Sequence, residues 1–417
     1  MIASPSNGLG PLGPEDIDAG DCARCGTGLK MGKLRVPGHR VLADATCPQC
    51  SDEYFIDVPS SFALLSPVRY CHTQQRHLGA AILPFWQNWF DKMMEAQAEV
   101  EVEINLGKAV ERPLLLHCLD PIFGHALKRL FHADAYMKRY PERPLIPLIA
   151  PWLQSFLPEG IAGAITVKWK GGSGLGWSRE LDNRMAAFIQ QYPGTEFCQT
   201  VPSLASEDID ISRFSGVQPM ERSSGRNRAR PTVCYVWRDT RCWGGSIEAQ
   251  LENVQQLRRQ LLSETPDMRF VVAGISSSDR WDDETEFLLF EKPGPEQDRQ
   301  LNLLYSQSDV VIGGHGSNMI LPSAHAGGTV ELVPPKRWHN AWTASFFRSD
   351  CSPAEAVFYH RYLPDTTDIG TICDVVHVIS GFAPRFDLLG GGDNTRFERV
   401  DAGRLTAEAA SLPGFRP

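Results

Sequence analysis

Apolar residues along the chain form short runs, often β-branched, that alternate with stretches of helical periodicity. The runs predict buried strands, and the stretches in which apolar side chains recur every three or four residues predict helices. Strands are predicted at residues 113–118, 145–149, 165–169, 233–237, 269–273, 287–290, 310–312, 329–333 and 374–380. Helices are predicted near residues 86–99, 125–139, 152–157, 181–191, 247–261, 297–306 and 338–348. Strands that alternate with helices predict parallel α/β sheets.

Departures from this alternation predict the domain boundaries. Residues 1–20 are rich in Gly, Pro and Ser and are predicted to be a flexible leader. Residues 202–231 mix serines with arginines and are predicted to be a solvated linker. We therefore predict five further units: a small domain at 21–60, one α/β domain at 61–201, the linker at 202–231, a second α/β domain at 232–365, and a tail at 366–417.

Composition and charge narrow the class of protein. With 417 residues, 42% hydrophobic and 22% charged, the chain can bury more than one core. The net charge of -9 weighs against a protein that coats nucleic acid, so a nucleic-acid partner is not favoured. No N-terminal stretch resembles a signal peptide, and no apolar run is long enough to span a membrane. We therefore expect a cytoplasmic protein without a membrane span.

Four of the eleven cysteines stand in two close pairs, Cys22-x-x-Cys25 and Cys47-x-x-Cys50. Each pair can place two thiolates on one side of a tight turn, and two turns complete a tetrahedral sulfur site. The spacing predicts a zinc ribbon with structural Zn²⁺, because no coordination position stays open; redox chemistry is the alternative. The ribbon could contact a partner or nucleic acid, but we favour a metal-stapled cap on the main body.

The stretch from Asp309 to Pro334 predicts an anion-binding turn. A short apolar run is followed by a glycine turn, a helix start and a second apolar run. Backbone N–H groups at a helix N-terminus bind phosphate, and glycines let the backbone approach it closely. The candidate binding residues are those of the turn: Gly314, His315, Gly316, Ser317 and Asn318. The alternative is a tight strand-to-helix turn that binds nothing.

This stretch resembles the C-terminal signature of glycosyltransferase family 61. His315, Gly316 and Asn318 stand in the order of that signature, followed by Pro322 and the strand Val330-Glu331-Leu332. The resemblance covers about half of the chain. It implies a GT-B fold, in which two Rossmann-like domains face each other across a cleft and the second holds a nucleotide-sugar. It also implies that Glu331 contacts the ribose, and it allows the tail to pack back on the first domain.

Basic residues follow the predicted strand at 233–237. Arg238 and Arg241 stand on either side of Asp239 and Thr240. Guanidinium groups match the geometry of phosphate oxygens. Family 61 relatives have a similar strand that ends in basic residues, so the resemblance implies that Arg238 and Arg241 hold the donor diphosphate. The alternative is a surface ion pair with Asp239.

Asp120 and His125 follow the first predicted strand of the first α/β domain. Open parallel sheets bind their ligands at the carboxyl ends of the strands. Phe123-Gly124-His125 is also similar to family 61 relatives, in which a Gly-His pair opens a helix that faces the cleft. Either Asp120 or His125 could accept the proton of an attacking hydroxyl. The alternative is an ordinary histidine at a helix start, capped by Asp120.

Together these features predict a glycosyltransferase that moves a sugar from a nucleoside-diphosphate donor to a hydroxyl of a glycan, small molecule or protein. No Asp-x-Asp motif stands where a metal-dependent transferase would need one, so we expect no catalytic metal. Relatives of this type usually invert the anomeric centre. The alternatives are a non-catalytic scaffold whose ribbon carries the function, and a transferase that acts on modified DNA bases, against which the acidic charge weighs.

Overall fold

The fold contains two six-stranded sheets and one five-stranded sheet among the residues that the structure describes. The structure is a computed structural model. It describes residues 10–60, 68–79, 83–107, 110–170, 176–200, 209–221, 230–276, 284–344, 346 and 357–390. In these ranges, no helix combines the length and the apolar composition that a bilayer crossing requires.

The strands alternate with helices along most of the chain, as the hydrophobic pattern predicts. In chain order the strands are β1 (Pro11–Leu12), β2 (Lys30–Arg35), β3 (Leu42–Thr46), β4 (Glu53–Asp57), β5 (Arg69–Cys71), β6 (Arg76–Leu78), β7 (Val100–Leu106), β8 (Leu114–His117), β9 (Leu145–Ile149), β10 (Gly163–Trp169), β11 (Glu196–Cys198), β12 (Thr232–Arg238), β13 (Arg269–Ile275), β14 (Glu286–Phe290), β15 (Val310–Gly314), β16 (Gly328–Val333) and β17 (His360–Pro364).

The α-helices are α1 (Leu83–Glu95), α2 (Phe123–Leu130), α3 (His132–Arg139), α4 (Arg179–Gln191), α5 (Ser212–Ser215), α6 (Ile247–Glu264), α7 (Pro295–Gln307), α8 (Ile320–His325) and α9 (Ile369–Gly390). Short 3₁₀ segments occur at Pro151–Phe156, Ser317–Met319 and Pro335–Ala344.

The C-terminal sheet is parallel throughout, in the order β14-β13-β12-β15-β16-β17. Its central strands are continuous apolar runs because both of their faces are covered. Helices α6 and α9 cover one face, where Val254, Leu257 and Ile372 pack on Tyr235. Helix α7 covers the other face, where Leu301 and Leu304 pack with Val236 in a second cluster. The predicted α/β class is confirmed.

The N-terminal sheet has the order β1-β11-β8-β9-β10-β7, with parallel inner strands and an antiparallel strand at each edge. Helix α4 covers one face through Leu181, Met185 and Phe188. Helices α2 and α3 cover the other face through Leu127 and Phe131. The edge strand β7 is absent from the sequence prediction, because the alternation of Glu and apolar residues there lies directly after a helical stretch.

The two large sheets share part of one hydrophobic core. Ile320 and Leu321 of α8, which belongs to the C-terminal sheet, pack in one cluster with Leu127 and Phe131 of the N-terminal sheet. Next to this cluster, the start of α2 approaches the turn after β15: a Cβ on Gly124 would lie 2.6 Å from the Cβ of Ser317. The carboxyl ends of β8 and β15 therefore meet at the junction of the two sheets.

The five strands from β2 to β6 form an antiparallel sheet that carries both cysteine pairs. This sheet extends to Leu78, beyond the boundary at residue 60 that the sequence predicts. Its loop at 36–41 contacts the N-terminal sheet: the backbone N–H of Val36 donates to Asp182 Oδ1 over 3.1 Å, and His39 stacks on Trp169 at 5.0 Å.

The predicted leader and linker are wrong for the parts that the structure describes. Pro11 and Leu12 pair with the edge strand β11, so residues 11–12 belong to the sheet. Residues 209–221 bury Ile211 and Phe214 in the shared core instead of forming a solvated linker. The apolar residues of this segment are few and irregularly spaced, so the sequence shows no periodicity that would predict their burial. Residues 1–9, 201–208 and 222–229 lie outside the described ranges.

The C-terminal predictions need two corrections. Residues 374–380, predicted as a strand from their valines and isoleucine, belong to helix α9. Burial of Ile372, Val376 and Ile379 at helical spacing against the sheet overrides their β-propensity. Helix α9 packs on α6 and on strands β15 and β16 of the C-terminal sheet. The packing of the tail on the first domain stays a prediction. Strand β17 lies where the sequence predicts irregular structure, and the predicted tail beyond residue 390 lies outside the described residues.

The packing of α9 generates a stability prediction at Gly328, the first residue of β16. A Cβ on Gly328 would lie 2.3 Å from Ile379 Cγ2. We expect Gly328→Ala to lower the free energy of unfolding by about 1–3 kcal/mol, measured by urea denaturation. Gly107→Ala, whose Cβ would be 3.7 Å from its nearest neighbour, is the control and should cost less. In a protein that already carries Ile379→Ala, Gly328→Ala should lower the free energy of unfolding by less than in the wild type. If the losses caused by the two substitutions simply add, α9 does not pack against Gly328.

Candidate functional site

Arg238 and Arg241 converge on the glycine turn that follows β15. Arg238 is the last residue of β12, and its Nη1 donates to Asn318 Oδ1 over 2.8 Å. A Cβ on Gly316 would lie 2.9 Å from Arg238 Nη1 and 3.3 Å from Arg241 Nη1. Strands β12 and β15 are neighbours in the sheet, so their carboxyl ends bring both turns together. A side chain at Gly316 would fill the space in front of the guanidinium groups.

A third arginine, Arg337, lies close enough to act on this pair. Burial, and then the positive charges of Arg241 and Arg337, lower the pKa of Arg238. Burial and the charge of Arg337 also lower the pKa of Arg241. Within the described ranges, none of the three forms an ion pair with a carboxylate. Asp239, the predicted alternative partner, accepts instead from Trp237 Nε1 at 2.9 Å and Ser276 Oγ at 2.8 Å.

His315 in the turn is held by a buried carboxylate. Its Nδ1 lies 2.7 Å from Glu331 Oε2, and His360 Nε2 lies 3.0 Å from Glu331 Oε1. Glu331 has no exposed surface. The predicted contact of Glu331 with a ribose is therefore wrong: both of its oxygens bond to histidines. Because an ionised carboxylate only accepts, His315 carries a proton on Nδ1 and presents Nε2 on its other side.

The N-terminal sheet brings helix α2 to the same place. Gly124 contacts Ser317 in the turn, and a side chain at Gly124 would collide with Ser317 and Ile320. Lys128, one turn further along α2, is mostly buried. Burial lowers its pKa to about 8, and the charge of Glu331 opposes this shift. Both sheets thus contribute positive charge to one region.

Asp120, at the carboxyl end of β8, is buried and bonded on both oxygens. Oδ2 accepts from Arg129 Nη2 at 2.8 Å, and Oδ1 accepts from the backbone N–H of Ile122 at 2.9 Å. His125 Nδ1 lies 3.4 Å from Asp120 Oδ1. Burial opposes ionisation, but His125, Arg129 and the N–H of Ile122 outweigh it and lower the pKa of Asp120 to about 2. Asp120 is therefore a weak base, and it orients His125.

A buried chain of hydrogen bonds links Asp120 to the cysteine-bearing sheet. Arg129 Nη1 lies 3.4 Å from His117 Nδ1, and His117 Nε2 donates to the carbonyl of Gly38 over 2.8 Å. Burial, and then the charge of Arg129, lower the pKa of His117 to about 3, so this ring is neutral. With its proton on Nε2, His117 accepts from Arg129, and both bonds are satisfied at once.

The four predicted cysteine ligands lie together. The sulfur atoms of Cys22 and Cys50 are 3.5 Å apart, those of Cys25 and Cys47 are 3.4 Å apart, and all four lie within 4.8 Å. A tetrahedron with metal–sulfur bonds of about 2.3 Å has edges of about 3.8 Å, so the thiolates fit a metal ion. The Tyr54 hydroxyl, 3.3 Å from Cys22 Sγ, lowers the pKa of that thiol to about 6. This cluster can hold a structural metal.

Comparisons with known proteins give a loose likeness only. No protein-family model matches the chain, and no curated protein matches its sequence. The structure of E. coli ADP-heptose LPS heptosyltransferase II is similar with 10% identity and a TM-score of 0.36, over 64% of this chain and 98% of that one. Trehalose-6-phosphate synthase from Burkholderia multivorans has 12% identity and a TM-score of 0.24, over 72% of each chain.

The iron-containing dodecameric glycosyltransferase TibC of enterotoxigenic E. coli is similar with 12% identity and a TM-score of 0.27, over 91% of this chain and 98% of that one. At such values the likeness assigns no activity to this chain. Membership of glycosyltransferase family 61 stays a prediction.

The sequence prediction missed two residues of this site, Arg337 and Arg129. Arg337 could have been found, because it follows β16 closely and Arg238 ends β12, and parallel strands place such residues at one edge. The sequence did suggest that His360 lies near the cleft, although it did not predict the strand β17 that holds it. Arg129 reads in the sequence as an ordinary basic residue near a helix end, and only the fold shows that it is buried.

The pairing of Asp120 predicts a pH-dependent stability. A pKa lowered from 3.8 to about 2 stabilises the fold above the unfolded pKa, and this stability is lost as the pH falls through the folded pKa. At pH 7, Asp120→Asn should lower the free energy of unfolding by about 3 kcal/mol, because Arg129 stays buried without its counter-charge.

The difference in the free energy of unfolding between the wild type and Asp120→Asn should narrow by about 2 kcal/mol as the pH falls from 5 to 2. Urea denaturation at several pH values measures it, and the exposed Asp267→Asn variant is the control. A difference that does not change with pH would contradict the lowered pKa.

Proposed function

We propose that the protein is a glycosyltransferase that uses a nucleoside-diphosphate sugar as its donor. One observation carries this proposal: Arg238 and Arg241 converge on the glycine turn at the carboxyl edge of a parallel sheet, and the charge of Arg337 acts on both of them. Like charges held together repel each other, and an anion with several oxygens relieves the repulsion. A diphosphate offers these oxygens to guanidinium groups and to the backbone N–H groups of the turn.

The N-terminal sheet supplies the base for transfer in this proposal. The acceptor oxygen attacks the anomeric carbon, the bond from that carbon to the diphosphate oxygen breaks, and the acceptor proton moves to His125. Asp120 holds Nδ1 of His125, so Nε2 of the same ring receives the proton. Gly124 lies against Ser317, which puts this base next to the turn that binds the diphosphate.

The arginines stabilise the leaving diphosphate. Negative charge grows on the diphosphate as the glycosidic bond breaks, and fixed positive groups at that point lower the barrier. His315 lies in the same turn, and its Nδ1 is held 2.7 Å from Glu331 Oε2. Direct displacement by one base inverts the anomeric centre, and we propose this outcome.

We further propose that the four-cysteine cluster holds structural Zn²⁺. The sulfur–sulfur distances of 3.4–3.8 Å fit a tetrahedral ion, and four thiolates leave no position for a substrate. Zinc is the divalent ion that such sites prefer. The ion would stabilise the sheet whose loop contacts His117 and would take no part in transfer.

Nucleotide binding tests the donor site. We expect Arg238→Ala and Arg241→Ala each to weaken binding of UDP, GDP or ADP by about ten- to a hundredfold, as for other lost charge-assisted hydrogen bonds. Isothermal titration calorimetry and nucleotide-induced thermal shift measure the change. The control is Arg259→Ala on α6, exposed and about 18 Å along the helix from the end that faces the site.

The proposal fails if no nucleoside diphosphate stabilises the protein, or if the Arg238 and Arg241 variants bind as tightly as the Arg259 variant. Either outcome would favour a non-catalytic binding protein. His315→Ala should also weaken nucleotide binding, and His125→Ala should abolish transfer but keep nucleotide binding.

The metal proposal has its own test. Native mass spectrometry should find one zinc ion per chain, and Cys47→Ser should lose it because three thiolates bind zinc more weakly. Cys242→Ser, outside the cluster, is the control and should keep the ion. Chelation should lower the thermal midpoint of the wild type. A full-length folded protein without stoichiometric zinc would refute the assignment.

A further inference from the structure

A cavity of about 520 Å³ lies beside the site, between the two large sheets. On one side it is lined by residues that follow β9 and end β10, among them Trp152, Ser155 and Trp169. On the other side it is lined by residues that follow β14 and open α7, among them Asp298. Both walls therefore belong to the carboxyl edges of parallel strands, where such sheets bind ligands.

The cavity adjoins the proposed donor site through one aromatic contact. The ring of Trp152 packs 5.5 Å from the ring of Phe123, and Phe123 directly precedes Gly124, which contacts Ser317 of the glycine turn. A ligand in the cavity would thus lie near the first turn of α2, which contains His125. Its volume falls in the range of small-molecule sites, about 300–1,000 Å³.

The lining has the chemistry of a sugar site. Two indoles and three prolines offer flat apolar surfaces, and Gln154, Ser155 and Asp298 offer hydrogen bonds. Asp298 Oδ2 accepts from Ser155 Oγ over 2.8 Å, which fixes the carboxylate across the gap between the sheets. Among the residues that the structure describes, the lining holds one carboxylate, Asp298, and one ammonium, Lys168, and no arginine. An uncharged ligand rich in hydroxyl groups satisfies this set better than a phosphate does.

We propose that this cavity binds the acceptor of the transfer reaction and that the acceptor is an uncharged carbohydrate. Its apolar face stacks on an indole of the cavity, and its hydroxyl groups donate to Asp298 and bond to Gln154. This inference rests on the proposed function, because an acceptor exists only if a sugar is transferred. The division of charge supports it: the anionic donor belongs with the arginines, and the neutral acceptor belongs with Asp298.

Saturation-transfer NMR on the full chain tests the inference, with methyl glycosides of glucose, galactose, mannose and N-acetylglucosamine as probes and UDP, GDP or ADP present. We expect at least one glycoside to bind and p-cresol not to compete with it. Asp298→Asn and Trp152→Ala should each weaken that binding by about tenfold or more. Both variants should still bind the nucleotide, and Arg238→Ala should still bind the glycoside.

Asp267→Asn, an exposed carboxylate change of the same kind, is the matched control. Asp298→Asn keeps the shape of the side chain, so it tests the cavity even if Trp152→Ala fails to fold.

The outcomes separate the two proposals. Nucleotide binding that depends on Arg238, together with glycoside binding that is absent or indifferent to Asp298, overturns the cavity inference and keeps the proposed function. Preference for p-cresol over every glycoside also overturns it and indicates an aromatic alcohol as the acceptor. Glycoside binding that depends on Asp298 without any nucleotide binding overturns the proposed function and, with it, the role of acceptor.

Discussion

The site depends on holding several positive charges close together, and among the described residues no carboxylate forms an ion pair with them. Arg238 ends β12, Arg241 lies in the turn that follows, and Arg337 lies in the segment after β16. Burial and the charges of Arg241 and Arg337 lower the pKa of Arg238, and burial and the charge of Arg337 lower the pKa of Arg241. Such repulsion is tolerable only where the surrounding fold fixes the backbone. The all-parallel sheet supplies this rigidity, because β12, β15 and β16 are central strands with both faces covered.

The junction of the two sheets is the second constraint on the site. Helix α8 is buried in a core to which the N-terminal sheet contributes most residues. The segment at 209–221 crosses the same region, where Ser215 Oγ lies 2.8 Å from His325 Nε2 and the backbone N–H of Met220 donates to the carbonyl of His325. The two sheets are therefore joined by packing as well as by the chain. The relative position of His125 and the glycine turn follows from this shared core.

The hydrophobic pattern predicted the sheets well because buried parallel strands are local, continuous apolar runs. The strand at 145–149 and the turn at 313–318 could be predicted from their own residues alone. The predictions that failed concern residues whose structure depends on partners far away in the sequence. Val375, Val376 and Val378 favour a strand by themselves, and packing against α6 and the C-terminal sheet favours the helix instead. The predicted role of Glu331 failed for the same reason, since its two histidine partners come from the turn after β15 and from β17.

The loop at 36–41 has a consequence that reaches beyond its own sheet. Gly38 bonds to His117, which leads through Arg129 to Asp120, and His39 stacks on Trp169 in the wall of the cavity. One short loop therefore supports both Asp120 and one wall of the neighbouring cavity. A substitution in this loop would disturb the surroundings of Asp120 and the shape of the cavity together.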